Sequence, residues 1–149
     1  MAKQRDQIRM TPQEVEAFLD EVRSMTMCTI NADGTIHAVA MWYGLLDGVV
    51  AFETKAKSQK AVNLRRDPRI TCLVEAGTVY EELRGVSLVG HAEIIDDPDQ
   101  MFELGKSVVS RHVAPYTEEL RPVVEMMLRN RVVIKVHVDN VISWDHRKL

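Results

Sequence analysis

The amino-acid sequence predicts a mainly β domain, in which an antiparallel sheet or small barrel carries several helices. Runs of alternating or β-branched residues recur about every 8–12 residues and are separated by turn signals such as Ala32-Asp33-Gly34. The strand–helix alternation that would build a parallel Rossmann sheet is absent from the pattern. These two observations favour an antiparallel fold with added helices.

The first helix is predicted to begin at Thr11, which can act as its cap. Pro12 suits the first helical position, and Glu14 completes a capping box. One apolar face then follows at helical spacing: Val15, Phe18, Leu19 and Val22.

Strands and further helices follow in a fixed order. The pattern predicts strands over 25–31, 35–43 and 49–54, with tight turns at 32–34 and 46–48, and then a helix from Ser58 to about Arg66. It next predicts strands over 69–75 and 83–95, a helix over 97–110, a second helix capped by Thr117, and strands over 131–138 and 141–144. Gly85 and Gly90 lie inside the long strand and indicate bulges or close backbone approach.

Length and composition limit the possible functions. The chain has 149 residues and a net charge of −3, so we expect one domain over 1–149 and no global electrostatic hold on nucleic acid. No apolar run is long enough for a membrane span, and the polar start does not resemble a signal peptide. Two cysteines, Cys28 and Cys72, are too few for a disulfide framework, which favours a cytoplasmic protein.

The strongest local signal is a basic segment over 55–69. It holds six basic residues and one acidic residue, Asp67, where a strand is predicted to end and a helix to begin. Helix N-termini favour phosphate or carboxylate, and Ser58 and Lys60 would complete such an anion site. The alternative is a solvated basic helix face. Nucleic-acid binding is disfavoured because no aromatic residue interleaves the basic ones.

No motif identifies a catalytic residue or a metal ligand. The five histidines lack metal-ligand spacing, and the sequence contains no nucleophile elbow, P-loop or Gly-rich dinucleotide motif. His37 either faces a ligand or is an ordinary strand residue. Trp144 either closes an apolar pocket or subunit interface, or anchors the last strand.

Several segments together resemble the flavin-binding split-barrel proteins related to pyridoxamine phosphate oxidase. The similar segments are 29–35, 37–43, 52–54, 58–60, 63–69 and 85–93. More narrowly, 63–69 and the ending 142–149 resemble an actinobacterial branch that uses the deazaflavin coenzyme F420, while some of its relatives keep FMN.

The resemblance implies a six-stranded antiparallel split barrel of the FMN-binding type with flanking helices. Its barrel core would span about 25–95 and 131–145. The resemblance covers 97–130 least, and there we expect a helical insertion of two helices that flank the barrel and shape the substrate mouth. The family forms homodimers with two cofactor sites at the subunit interface.

The resemblance also assigns cofactor-binding residues by position. Thr54, Ser58, Gln59 and Lys60 would hold the cofactor phosphate, and Gly85, from the other subunit, would lie against the ring. The ring would be lined by the strand backbone of Val39, Ala40, Met41 and Trp42. From their charge, we expect Lys57 and Arg65 to reach the glutamate tail of a deazaflavin.

The sequence departs from the oxidases at several positions. Ala38 and Tyr43 stand where they carry Arg and Lys, and Gln59 stands where they carry Arg beside the phosphate-binding Lys. Their C-terminal Arg-x-His motif is also missing. These departures argue against oxidation of pyridoxamine phosphate and weaken the hold on FMN.

The resulting hypothesis is a coenzyme F420-dependent oxidoreductase that transfers a hydride to an electron-poor small molecule. Such chemistry needs no triad, and a proton donor would be His37, Tyr43 or solvent. The alternatives are an FMN-binding oxidase or reductase of the same fold, and a non-catalytic carrier of flavin or haem.

Overall fold

The computed structural model describes residues 3–149 and confirms the mainly β class. The helices are α1 (Gln4–Ile8), α2 (Pro12–Glu21), α3 (Gln59–Arg66), α4 (Pro98–His112) and α5 (Arg121–Leu128). The strands are β1 (Ser24–Ile30), β2 (Ile36–Trp42), β3 (Gly44–Leu46), β4 (Val49–Lys55), β5 (Arg69–Ala76), β6 (Arg84–Ile95) and β7 (Arg131–Asp145). Short 3-10 turns occupy Tyr80–Glu82, Glu118–Leu120 and His146–Lys148.

All strands belong to one antiparallel sheet in the order β2-β1-β5-β6-β7-β4-β3. The two edge strands, β2 and β3, are consecutive in the chain and are separated by a single residue, Tyr43. Because one residue connects opposite edges, the sheet must curl until those edges approach each other. This is the split-barrel architecture that the family resemblance implies.

The sheet has seven strands, one more than the six that the resemblance implies. The additional strand is β3, which pairs with β4 from Gly44↔Ala51 to Leu46↔Val49. Its three residues precede the tight turn at Asp47-Gly48, where both residues adopt positive φ. Such a short strand shows too little alternation to be recognised in the sequence.

The main core lies inside the curled sheet. Alternate residues of the central strands point into it, including Met27, Cys72, Val86 and Val136, which are all fully buried. A second cluster lies under α4, where Leu104 and Val108 pack against the β3–β4 hairpin and β7. Helix α4 therefore covers apolar surface on the outer side of the sheet.

The observed starts of the helices can be compared with the predicted ones. Thr11 accepts a hydrogen bond from the Glu14 amide at 3.2 Å, which confirms the predicted start of α2. The cap at Thr117 is wrong, since its side chain makes no capping bond and a 3-10 turn follows. The next helix, α5, begins only at Arg121, and Pro122 in its first turn explains why. Helix α1 was not predicted, because its residues are polar and lack apolar periodicity.

The predicted irregularities of β6 are confirmed. The register with β7 shifts between Val89 and Gly90, which leaves Asp139 as the extra residue of a bulge. A Cβ atom on Gly90 would lie 2.0 Å from the His137 carbonyl oxygen, so the close approach requires glycine. The predicted strands over 131–138 and 141–144 form one continuous strand, β7.

Residues 3–149 contain neither a membrane-spanning helix nor a metal-binding cluster of side chains. None of the helices there is long and apolar enough to cross a membrane. No cluster of three or more His, Cys, Asp or Glu side chains in this range could hold a metal ion.

Candidate functional site

The start of α3 forms a polar cradle directly after β4. Thr54 donates to the Ser58 hydroxyl at 3.0 Å, and Ser58 in turn accepts from the Ala61 amide at 3.2 Å. Within residues 3–149, the amides of Gln59 and Lys60 have no backbone or side-chain acceptor. Two free N–H groups, a hydroxyl and the positive end of the helix dipole therefore meet at one point, which suits an anion.

Lys60 adds a positive charge to the first turn of α3. Its side chain is half-buried, and it forms no ion pair with a described carboxylate. Partial burial lowers the pKa of Lys60, and the nearby Arg131 guanidinium lowers this pKa further, while Glu53 opposes both effects. A bound anion would offset the cost of keeping this cation out of water.

An ion pair missed by the sequence analysis lies beside Lys60. Arg131 Nη1 is 3.0 Å from Glu53 Oε2, and the Glu53 side chain is only 17% exposed. Burial raises the pKa of Glu53, while Arg131 and Lys60 act in the opposite direction. The only sequence signal is a carboxylate directly after the apolar residues 49–52 of β4, because its partner is 78 residues away.

Gln59 does not point freely into the cradle. Its side-chain amide donates to Asn63 Oδ1 at 2.8 Å, and Asn63 is fully buried. Asn63 donates to Thr29 at 3.0 Å and to Asn31 at 2.9 Å, which ties α3 to β1. The side chain of Gln59 therefore supports the helix, while its backbone amide faces the cradle.

Lys57 and Arg65 flank the cradle. Both are exposed, and the Arg65 guanidinium donates to the Ala56 carbonyl at 2.7 Å. This bond fixes the loop that leads into α3. The residues predicted to bind the cofactor phosphate and those predicted to bind the glutamate tail thus lie together around the N-terminus of α3.

The predicted ring-lining segment lies on an edge strand. In β2, Val39 and Met41 pack against the main core, whereas Ala40 and Trp42 point to the opposite, exposed face. Only β1 pairs with β2 among residues 3–149, so the outer edge of β2 offers unpaired backbone groups. Ala56, just before α3, packs against the same core as Val39 and Met41.

Gly85 lies far from the cradle of its own chain. Thr54 pairs with Val132 near the start of β7, whereas Gly85 pairs with Trp144 near its end. A Cβ atom on Gly85 would lie 2.1 Å from Trp144 Cζ2, so Gly85 makes room for this indole ring. A single chain does not bring Gly85 to α3.

The two candidate proton donors occupy different environments. Tyr43 is fully buried, and its hydroxyl donates to the carbonyls of Leu19, at 2.7 Å, and Val22. Burial raises the pKa of Tyr43 to about 12. Tyr43 is therefore a structural residue, whereas His37 on β2 is half-buried opposite Thr29.

Trp42 is held in place by the helical insertion. Its ring stacks on His112, at the end of α4, with centroids 4.3 Å apart and planes inclined by 9°. His112 Nε2 lies 3.3 Å from the Tyr43 carbonyl oxygen. The side chain of Trp42 remains 57% exposed, so one face of the indole is open beside the edge of β2.

Comparison with known proteins identifies the family. A family model described as pyridoxamine 5'-phosphate oxidase matches residues 11–145, which is most of the chain. The chain belongs to the pyridoxamine 5'-phosphate oxidase family. No curated protein matches it.

Solved structures of other proteins share this architecture. A conserved hypothetical protein from Mycobacterium tuberculosis is 48% identical with a TM-score of 0.95, and the match covers 99% of this chain and 92% of that one. An F420 reductase is 26% identical with a TM-score of 0.63, covering 85% and 94% of the two chains. A heme storage protein from Vibrio cholerae is 10% identical with a TM-score of 0.70, covering 91% and 96%, and this similarity extends to the fold alone.

Proposed function

We propose that this protein is a coenzyme F420-dependent oxidoreductase that transfers a hydride to an electron-poor small molecule. The observation that carries the proposal is the half-buried Lys60, without an ion-pair partner among residues 3–149, beside two free amides at the start of α3. This arrangement fits the phosphate of a flavin-like coenzyme. The F420 reductase with the same architecture supports the choice of a deazaflavin.

The proposed roles of the cradle residues follow from their positions. The amides of Gln59 and Lys60, the Ser58 hydroxyl and the Lys60 ammonium bind the phosphate, and Thr54 orients Ser58. Lys57 and Arg65 lie outside the cradle, where they attract the carboxylates of the glutamate tail. FMN has no such tail, so these two residues favour F420.

The edge of β2 receives the ring. Its unpaired backbone groups at 39–42 provide hydrogen-bond donors and acceptors for the polar edge of the isoalloxazine-like system. When bound, the reduced coenzyme supplies the hydride from its ring carbon. The protein orients the acceptor and excludes water, and His37 or solvent provides the proton.

We further propose that the protein acts as a homodimer with cofactor sites at the interface. Large apolar side chains are exposed on β2 and on the second half of β7: Ile36, Trp42, Val138, Val141 and Ile142. Gly85 can reach a cradle only from a second copy, because its own chain holds it at the far end of β7. Two unpaired cysteines, Cys28 and Cys72, fit a cytoplasmic location.

Hydride transfer is tested by following the absorbance of chemically reduced F420 with the purified protein and a panel of enones, quinones and tetrapyrroles. Protein-dependent oxidation with at least one acceptor supports the proposal. Tight binding of F420 with no turnover of any acceptor would instead favour the carrier alternative.

A further inference from the structure

A single buried side chain, that of Asn63, connects α3 to the sheet. Its side-chain oxygen accepts from Gln59 Nε2 at 2.8 Å and from Arg66 Nη2 at 3.2 Å, and both donors belong to α3. Its side-chain nitrogen donates to Thr29 Oγ1 at 3.0 Å, near the end of β1, and to Asn31 Oδ1 at 2.9 Å, directly after β1. Asn63 is fully buried, and these four bonds use both donors and both acceptor lone pairs of its amide.

The orientation of α3 depends on these bonds. Ala61 and Leu64 pack in the main core and hold the helix against the sheet, and the exposed Arg66 side chain bonds the Ile30 carbonyl. Apolar contacts are non-directional, whereas hydrogen bonds require defined distances and angles. The buried bonds of Asn63 therefore determine the rotation and axial position of α3, and with them the positions of the free amides at its start.

The edge strand β2 is positioned by the same strand, β1. The two strands pair residue by residue along the whole length of β2. Thr29, which accepts from Asn63, pairs directly with His37, and Val39, the first of the predicted ring-lining residues, follows two positions later. Asn63 therefore joins the two elements that would hold opposite ends of one ligand, with the phosphate at α3 and the ring at β2.

We propose that Asn63 is a positioning residue, which sets the distance between the cradle and the edge of β2 so that one coenzyme occupies both. The inference rests on the proposed function, because it takes the phosphate to bind at α3 and the ring to bind at β2. Two sites on one protein bind a linked ligand more tightly than either part, provided that their spacing matches the linker. Loss of the Asn63 bonds should therefore weaken the linked ligand far more than its separate parts.

The test compares F420 with its two parts. The phosphate-free deazaflavin, which keeps the ring and the ribityl chain, reports on the edge of β2, and inorganic phosphate reports on the cradle. Calorimetry measures the dissociation constants of F420 and the phosphate-free deazaflavin, and NMR follows phosphate binding through the amide resonances of Gln59 and Lys60. Asn63→Leu removes all four bonds and keeps a side chain of similar size in the core.

We expect Asn63→Leu to weaken F420 binding about tenfold, and to change the affinities for phosphate-free deazaflavin and inorganic phosphate by less than about twofold. Asn31→Ala removes only one partner of Asn63, so it should cause a smaller loss of F420 affinity with the same pattern. The control is Tyr43→Phe, which removes buried hydrogen bonds to Leu19 and Val22 instead of contacts of α3 and should leave all three affinities unchanged.

Other outcomes overturn the inference. Equal losses for F420 and phosphate-free deazaflavin in Asn63→Leu, or no loss for either, would show that Asn63 does not set the spacing of the two sites. Weaker binding of inorganic phosphate would show that Asn63 shapes the cradle itself. If Asn63→Leu does not fold, Asn31→Ala decides by the same comparison.

Failure of the proposed function appears separately, as absence of F420 binding to the wild type. The same comparison is then made with FMN and riboflavin, which differ by the phosphate alone. A wild type that binds neither coenzyme overturns both the proposed function and the role of Asn63.

Discussion

The indole ring of Trp144 lies directly over Gly85, its partner across β6 and β7, and occupies the space that a side chain at Gly85 would need. The sequence predicted a close approach at Gly85, and it left open whether Trp144 closes a pocket or anchors the last strand. Within one chain, Trp144 anchors β7 on β6. The predicted contact of Gly85 with a cofactor ring in the partner subunit remains a prediction.

Gly85→Ala should therefore destabilise the fold. A Cβ atom there would lie 2.1 Å from Trp144 Cζ2, and overpacking of this kind costs about 1–3 kcal/mol. Urea denaturation measures the change in the free energy of unfolding. The same substitution in a Trp144→Ala background should cost much less, and an equal cost in both backgrounds would show that Trp144 is not the obstacle.

Lys60→Ala should weaken binding of F420 and FMN by about 1.5–3 kcal/mol, the range for a hydrogen bond to a charged group. The matched control is Lys55→Ala, which removes an exposed lysine at the end of β4. Isothermal titration calorimetry measures both affinities. An unchanged affinity in Lys60→Ala would refute the assignment of the phosphate to the start of α3.

Lys57→Ala should weaken F420 more than FMN, because only F420 carries the glutamate tail. Lys57 is exposed just outside the cradle, so its effect on the phosphate itself should be small. The comparison is made with the same titrations at low and high salt, since an exposed charge is screened by ions. An equal loss of affinity for F420 and FMN would show that the glutamate tail does not pass Lys57.

Tyr43→Phe should lower stability and leave cofactor affinity and turnover unchanged. The hydroxyl donates to the carbonyls of Leu19 and Val22 inside the protein, and loss of such buried bonds costs about 1–3 kcal/mol. Thermal unfolding and steady-state kinetics provide the two readouts. Loss of turnover without loss of stability would restore Tyr43 as a proton donor.

The pH dependence of stability should contain a contribution from His112. Burial, with help from the Arg111 and Arg23 charges, lowers the pKa of this histidine, while its contact with the Tyr43 carbonyl opposes the shift. A lowered folded-state pKa means that the unfolded chain binds the proton first as the pH falls below the ordinary histidine value. Stability should therefore decrease between that value and the lowered pKa, and remain unaffected by His112 at higher pH. The free energy of unfolding is measured by urea denaturation from pH 7.5 to 5 for the wild type and for His112→Gln. The variant should lack the part of the decrease that His112 causes. Identical pH profiles for the two proteins would contradict this contribution.

Features of the fold that depend on local residues are predictable from the sequence. The Ser58 cap, the start of α2 at Thr11 and the bulge at Gly90 depend on neighbouring residues or on glycine itself, and all three are confirmed. Side-chain contacts that depend on the three-dimensional fold are not predictable in this way. The Glu53–Arg131 pair joins two distant strands, and the side chain of Gln59 turns to Asn63 because the fold buries that amide. Neither contact leaves a pattern in the sequence.

The most direct test of the central claim is a side-by-side titration of cofactor-stripped protein with F420 and FMN, followed by quenching of tryptophan fluorescence. Trp42 lies at the end of the proposed ring-binding strand and Trp144 lies over Gly85, so Trp42→Phe and Trp144→Phe variants separate the two signals. We predict tighter binding of F420, with quenching that depends on Trp42. Tighter binding of FMN, or no binding of F420, would contradict it.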